Sequence, residues 1–284
     1  MQPLFEHRRR FGGFESRVLE LEGDGPALVL LHGWADSADT WRHFLAAAGR
    51  HDRRAIAVDF PAFGAADPLK PGPVLRQLDR FTAAVIEYAG RGGDDVVVAG
   101  NSLGGVLALR SAQRLPLAGV APVAPAGLDM PRWFDLVERD PILRRLLALP
   151  IPVPELALRE AVGRTYRTLA FAHPGAVDAR VVSAFTAHHR DRAAVRRILD
   201  AGRRLLPELE DCFDFAAVRC PVLLVWGVRD RMVSPRGARR VVEALPETRV
   251  ELIEDCGHCP QIEAPERLAR LLLAFPDREL AAAA

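Results

Sequence analysis

A β-branched run that ends in a Gly-x-Ser-x-Gly turn and reopens as a helix restricts this chain more than any other feature. Asp95-Val96-Val97-Val98-Ala99 reads as a buried strand, Gly100-Asn101-Ser102-Leu103-Gly104 as a tight turn, and Val106 to Ala112 as an apolar helix. Gly100 and Gly104 lack a Cβ, so strand end and helix start can pass closely while Ser102 takes a strained backbone conformation and presents its hydroxyl outward. Small-residue pentapeptides are common, and an incidental serine is the bland reading of this one. The strand before it and the helix after it favour a nucleophile.

The remaining chain repeats the strand-then-helix pattern. Phe14 to Leu21 reads as an outer strand or hairpin arm; Ala27 to Leu31, Ala55 to Phe60, Asp95 to Ala99, Gly119 to Val123, Val222 to Trp226 and Val250 to Ile253 read as central strands. Ser37 to Gly49, Leu75 to Gly90, Leu103 to Leu115, Pro235 to Leu245 and Pro265 to Phe275 have helical spacing. Such alternation predicts an α/β fold with a mostly parallel sheet covered by helices on both faces. The stretch 126–217 interrupts it and is far longer than an ordinary connection of about two to six residues. Apolar residues at helical intervals, broken by Pro150, Pro152 and Pro154, predict a helical cap there, so that 1–125 and 218–284 form the core.

A serine hydroxyl is a weak nucleophile at neutral pH and needs a base, which in turn needs an acid to orient it. Asp230 follows the apolar strand Val222 to Trp226, and His258 follows the last strand, within Cys256-Gly-His-Cys-Pro-Gln261. Ser102, Asp230 and His258 thus each lie just past the carboxyl end of a strand, and in a parallel sheet those ends share one edge. The bland readings are a surface ion pair for Asp230, between Arg229 and Arg231, and a structural ring for His258, one of 8 histidines.

Five separated segments resemble the α/β-hydrolase family over nearly the whole chain. They are Leu31-His32-Gly33-Trp34, Asp59-Phe-Pro-Ala-Phe-Gly64, the serine turn, Trp226-Gly-Val-Arg-Asp230, and Gly257-His-Cys-Pro-Gln-Ile-Glu263-Ala-Pro-Glu266. In the second, Ala62 replaces the family's usual first glycine. The resemblance implies an α/β-hydrolase fold with an inserted helical cap, a Ser102, Asp230, His258 triad, and an oxyanion hole from the backbone N–H groups of Trp34 and Leu103. Some members place the acid one strand earlier, which would make it Asp129 or Asp135. His32 then organises the oxyanion loop rather than carrying a proton. Asn101 beside the nucleophile, and Trp133, Phe134, Phe171 and Phe185 in the cap, are candidates for substrate contact, although any single cap aromatic is more at home in the cap's own core.

The implied activity is hydrolysis of small to medium, apolar carboxylic esters through an acyl-serine, with no cofactor. Carbon-carbon hydrolases of ring-cleavage products share the Gly100-Asn-Ser-x-Gly-Gly105 turn, but they usually carry a Gly-x-Gly-Pro loop where Trp34-Ala35-Asp36 stands and a tryptophan after the histidine where Cys259 stands. Perhydrolase, lactonase and amidase chemistry fit the same three residues, and a non-catalytic ligand-binding role is the alternative of a different class.

Length and composition fit a soluble enzyme, and the partner the resemblance implies is a small acyl compound. The 284 residues carry 38 basic and 37 acidic side chains, a formal net charge of +1, which offers no field to draw nucleic acid. His7-Arg8-Arg9-Arg10 reads as a flexible, solvated terminus. No run approaches a membrane span and no secretory segment opens the chain, so a cytoplasmic location is expected. Cys256 and Cys259 bracket His258, but Cys212 and Cys220 are spaced differently, so no metal site is expected. Oligomeric state is left open.

Overall fold

The computed structural model describes residues 2–90, 96–129, 154–188 and 192–275. Strands β1 (Leu4–Phe11), β2 (Phe14–Leu21), β3 (Asp24–Leu31), β4 (Arg53–Val58), β5 (Val96–Asn101), β6 (Gly119–Val123), β7 (Leu223–Gly227) and β8 (Arg249–Ile253) form one sheet in the order β1-β2-β4-β3-β5-β6-β7-β8. β2 pairs antiparallel with β1 and β4, and every pair from β4 to β8 is parallel. The helices are α1 (Arg42–Ala48), α2 (Val74–Gly90), α3 (Leu103–Ala112), α4 (Glu155–Ala170), α5 (Ala179–Thr186), α6 (Arg192–Leu205), α7 (Ala238–Ala244), α8 (Pro260–Glu263) and α9 (Pro265–Leu273).

The near-continuous apolar character of the central strands follows from burial on both faces. Val29, Leu31, Val96 and Val98 face one core with Leu78, Phe81 and Val85 of α2 and Val106 and Leu107 of α3. The alternate residues Leu28, Leu30, Val97 and Ala99 face a second core with Phe44 and Leu45 of α1 and Leu268 and Leu272 of α9. Each face buries one of the two alternating sets, so a slip of one residue would exchange them.

Two expectations are corrected. His7-Arg8-Arg9-Arg10 is no loose terminus but part of β1, hairpinned to β2 with Phe11 opposite Phe14. The charges are held across the hairpin and beyond it: His7 bonds Glu20, Arg8 pairs with Glu15, and the Arg9 guanidinium lies over the Tyr88 ring, 4.1 Å from its centre. A strand so charged also blunts the edge of the sheet against further pairing. The segment from Ser37 is not one helix but a 3-10 turn, Ala38–Trp41, that then passes into α1. Between β6 and β7 the described residues contain α4, α5 and α6, as helical spacing predicts. Asp95, Pro150, Pro152 and the cap positions Trp133 and Phe134 lie outside the described residues, as does Asp135. Among the described residues no helix is long and apolar enough to cross a membrane.

Candidate active site

Ser102 occupies the step from β5 to α3 with φ 55° and ψ −112°, backbone space that a side chain enters at a cost of about 1–3 kcal/mol. Surrounding backbone enforces it. The Ser102 N–H donates to the Val123 carbonyl at 2.9 Å, and its own carbonyl accepts from Val106 at 3.1 Å and Ala126 at 3.2 Å. The flanking glycines are steric necessities: a Cβ on Gly100 would stand 2.2 Å from the Gly104 carbonyl oxygen, and one on Gly104 would stand 2.2 Å from that of Leu31.

Past the end of β8, the His258 ring places Nδ1 2.7 Å from Oδ2 of Asp230, which follows β7. The Asp230 carboxylate is fully buried. Oδ2 also accepts the Trp226 indole N–H at 3.1 Å, and Oδ1 accepts the backbone N–H groups of Met232 at 2.8 Å and Val233 at 3.0 Å. An acid ringed by donors serves as an acceptor, so the hydrogen between acid and imidazole belongs on Nδ1 and Nε2 is left as the accepting nitrogen. Nε2 is buried and has no hydrogen-bond partner among the described residues. The ring and Ser102 line the same cavity. Asp129 makes a different contact, its carbonyl accepting from the Ser234 N–H at 3.2 Å.

The histidine loop is held from three sides. His258 N–H donates to the Ala170 carbonyl at 2.7 Å, and the Glu263 carboxylate accepts the N–H groups of Gly257 at 2.7 Å and Ala172 at 2.8 Å. Burial pushes the Glu263 carboxyl above its ordinary range. Asn101 donates to the His258 carbonyl at 2.8 Å and to that of Val123 at 3.3 Å, and its oxygen accepts from Gln261 at 3.2 Å; Gln261 also donates to Thr40 at 3.1 Å. Asn101, expected as a substrate contact, does line the cavity, but its amide is spent on this brace. Gln261 and Thr40 escaped sequence reasoning because an amide and a hydroxyl far apart in the chain carry no periodic signal.

Leu103 opens α3, where N–H groups have no carbonyl one turn back, and the Trp34 N–H has no backbone acceptor among the described residues. Both residues line the cavity. His32 supports this loop: it donates from Nδ1 to the Gly33 carbonyl at 2.7 Å and accepts the Phe60 N–H on Nε2 at 2.8 Å. Complete burial pushes its pKa down to about 4, which keeps the ring neutral and able to accept.

The cavity measures about 90 Å³, and Leu205, Leu206, Leu209, Met232 and Val233 give it an apolar wall. Phe185 lines it as expected, whereas Phe171 does not: its ring is fully buried in a cluster with Tyr166, Ala170 and Cys259. Asp36 and Tyr166 line the cavity as well, and neither was singled out in sequence as a site residue. Only the acid next to the His32-Gly33-Trp34 loop could have hinted at the first. The bracketing thiols diverge, Cys256 facing Glu263 at 3.8 Å and Cys259 facing the Tyr166 hydroxyl at 3.9 Å, and burial pushes both well above the usual thiol range.

The family model described as the alpha/beta hydrolase family matches residues 28–271. The chain belongs to the alpha/beta hydrolase family. It is similar to the pimeloyl-[acyl-carrier protein] methyl ester esterase of Aromatoleum aromaticum, at 30% identity with 87% of this chain and 96% of that protein covered. It is also similar to the 2-hydroxy-6-oxononadienedioate/2-hydroxy-6-oxononatrienedioate hydrolase of Burkholderia vietnamiensis, at 26% identity with 88% and 86% covered. Among solved structures, a serine hydrolase involved in carbazole degradation superposes with a TM-score of 0.77 at 23% identity, covering 96% of this chain and 98% of the other. That likeness speaks for the fold; the relatives within the family include both esterases and carbon-carbon hydrolases.

Proposed function

We propose that the protein is a serine hydrolase of small, apolar carboxylic esters, working through Ser102, His258 and Asp230. The observation that carries this reading is a buried imidazole held by a carboxylate on Nδ1, with its unpartnered Nε2 in the cavity that Ser102 lines. Ser102 Oγ attacks the acyl carbon and its proton passes to His258 Nε2. The carbonyl electrons move onto oxygen, where the N–H groups of Trp34 and Leu103 receive the charge, an arrangement worth about 3–4 kcal/mol per donor in comparable sites. Collapse of the tetrahedral species breaks the ester C–O bond, and the alcohol leaves with the proton from His258. Water then attacks the acyl-serine while His258 takes its proton, and a second collapse returns that proton to Ser102 Oγ and releases the acid. Asp230 steadies the imidazolium through both halves.

The small cavity supports a short acyl or aryl group, and its lining by Gly202, Leu205 and Leu209 supports assigning 126–217 as a cap over a core of 1–125 and 218–284. Carbon-carbon hydrolysis is the second reading, favoured by the Gly100 to Gly105 turn and the Burkholderia vietnamiensis relative. The test is stoichiometric labelling of Ser102 by a fluorophosphonate, with turnover of p-nitrophenyl acetate and of a ring-cleavage dienone compared in the wild type and Ser102→Ala. Ester turnover that falls at least about 10⁴-fold in the variant supports the proposal. Labelling without turnover of either substrate would leave a ligand-binding protein.

A further inference from the structure

A second cavity of about 450 Å³ lies outside the first, between the sheet edge and α5. Its walls are mixed, with Arg17, Asp39, Arg42, Asp178 and Arg180 set among the apolar Val181, Ala184 and Ile262. Among the described residues, three line both cavities: Asp36, Tyr166 and Phe185. They come from three separate elements, the loop after β3, helix α4 and helix α5. The two rings are stacked face to face, with centroids 3.7 Å apart and planes inclined by 3°. Tyr166 is further fixed by an edge contact to Phe171 at 5.1 Å and by its hydroxyl beside Cys259. Close approach of α4 and α5 brings the rings together, and Gly163, one turn before Tyr166, permits it: a Cβ there would stand 2.9 Å from Val182 Cγ1. The carboxyl of Asp36, only 7% exposed, completes the wall and accepts the Ser37 N–H at 2.8 Å.

We propose that the stacked Tyr166 and Phe185 rings are the end stop of the substrate cavity and set the longest chain the site accepts. This rests on the reading of Ser102 as an ester-cleaving nucleophile. A substrate chain that ends before the stacked pair lies in mainly apolar surroundings. A longer one must displace an aromatic ring from its partner, losing the stacked contact, and then enter a wider cleft where ion pairs such as Arg17 with Asp39 and Arg42 with Asp39 share the wall. The site therefore takes esters whose chain on this side is short, and Phe185 is the residue whose removal joins the inner cavity to the outer one. Phe185 is the better lever of the two rings because Tyr166 has more of its surface committed to the cap interior.

The experiment compares kcat/KM for p-nitrophenyl acetate, butyrate, octanoate and decanoate, and for butyl and octyl acetate, in the wild type, Phe185→Ala and the milder Phe185→Leu. Folding of each variant is checked by thermal melting. The wild type should prefer the short member of at least one series by tenfold or more, and Phe185→Ala should shift that long-to-short ratio tenfold toward the long member. Calorimetric binding of methyl butyrate and methyl decanoate to Ser102→Ala, with and without Phe185→Ala, reads the same stop with no chemistry involved, and the decanoate should gain tenfold. A wild type indifferent to chain length, or ratios unmoved in both folded Phe185 variants, overturns the stop. Absence of any ester turnover or fluorophosphonate adduct in the wild type would instead sink the nucleophile assignment, and the binding comparison would still decide the stop.

Discussion

Asp36→Asn should change how stability depends on pH, by an amount that the position of this carboxyl sets. Burial raises its pKa from an ordinary 3.8 to about 7, and repulsion from Asp39 and Asp59 acts in the same direction, while bonds from the Ser37 amide and the Thr40 hydroxyl oppose it. Burial first, with this same carboxyl adding to it, raises the pKa values of the Tyr166 hydroxyl and the Cys259 thiol on the facing elements, so both stay neutral and add no charge across this range. A group whose folded pKa lies above its unfolded one favours folding fully below the unfolded value, and that contribution is lost as pH rises through the folded value. Here the window runs from about pH 4 to about pH 7. At about 1.4 kcal/mol per tenfold, most of the loss, about 3 kcal/mol, falls between about pH 5 and pH 8. Asparagine keeps the acceptor for the Ser37 N–H and cannot ionise. Its extra buried donors cost about 1–3 kcal/mol at every pH, which offsets the absolute stability but not the slope. Urea unfolding of both proteins across this range should show the variant gaining about 3 kcal/mol on the wild type from the acid to the alkaline end. Other titrating groups, His32 among them, are common to both proteins and cancel from the comparison. A stability difference that stays flat with pH, or moves the other way, would refute the argument that burial dominates this carboxyl.

Asp230→Asn should lower ester turnover by about 10⁴-fold, because an amide at this place can donate to Nδ1 and stabilise the wrong tautomer. Asp129→Asn should change it by less than about threefold, and steady-state kinetics of the pair therefore names the acid. Ala62→Gly should stabilise the protein by about 1 kcal/mol in urea unfolding: Ala62 sits at φ 78°, where a Cβ costs about 1–2 kcal/mol, and glycine returns only part of that as unfolded-chain entropy.

The central strands and the three principal site residues were legible from the pattern of strands along the chain. Ser102 and Asp230 come just after the apolar runs of β5 and β7, which are what a doubly covered parallel strand must look like, whereas His258 follows the half-exposed β8 and was found by its place after the last strand. Strand β1 was hidden because its inward partners are charges rather than a core: a run such as His7-Arg8-Arg9-Arg10 has no apolar alternation, and only the acids on β2 and the Tyr88 ring make it a strand. Asp36 was hidden for the opposite reason. An acid in a loop between two small residues reads as solvated, and it becomes a buried carboxyl only when Tyr166 arrives from a helix 130 residues later in the chain.

The same distinction explains which parts of the site are vulnerable. The strand ends place three loops at one rim, but they do not set the loops against one another. That falls to Asn101, Gln261, Thr40 and Glu263, which tie the serine turn, the histidine loop and the loop after β3 through bonds of 2.7–3.2 Å. Asn101 is the crossing point, since it bonds both the His258 carbonyl and Gln261 while standing next to Ser102 in the chain. Its neighbours in this brace are buried, so a missing partner cannot be replaced by water without opening the core. A fold of this kind can thus tolerate change in the helices between β6 and β7 more readily than in the few polar side chains that hold the His258 loop against the Ser102 turn.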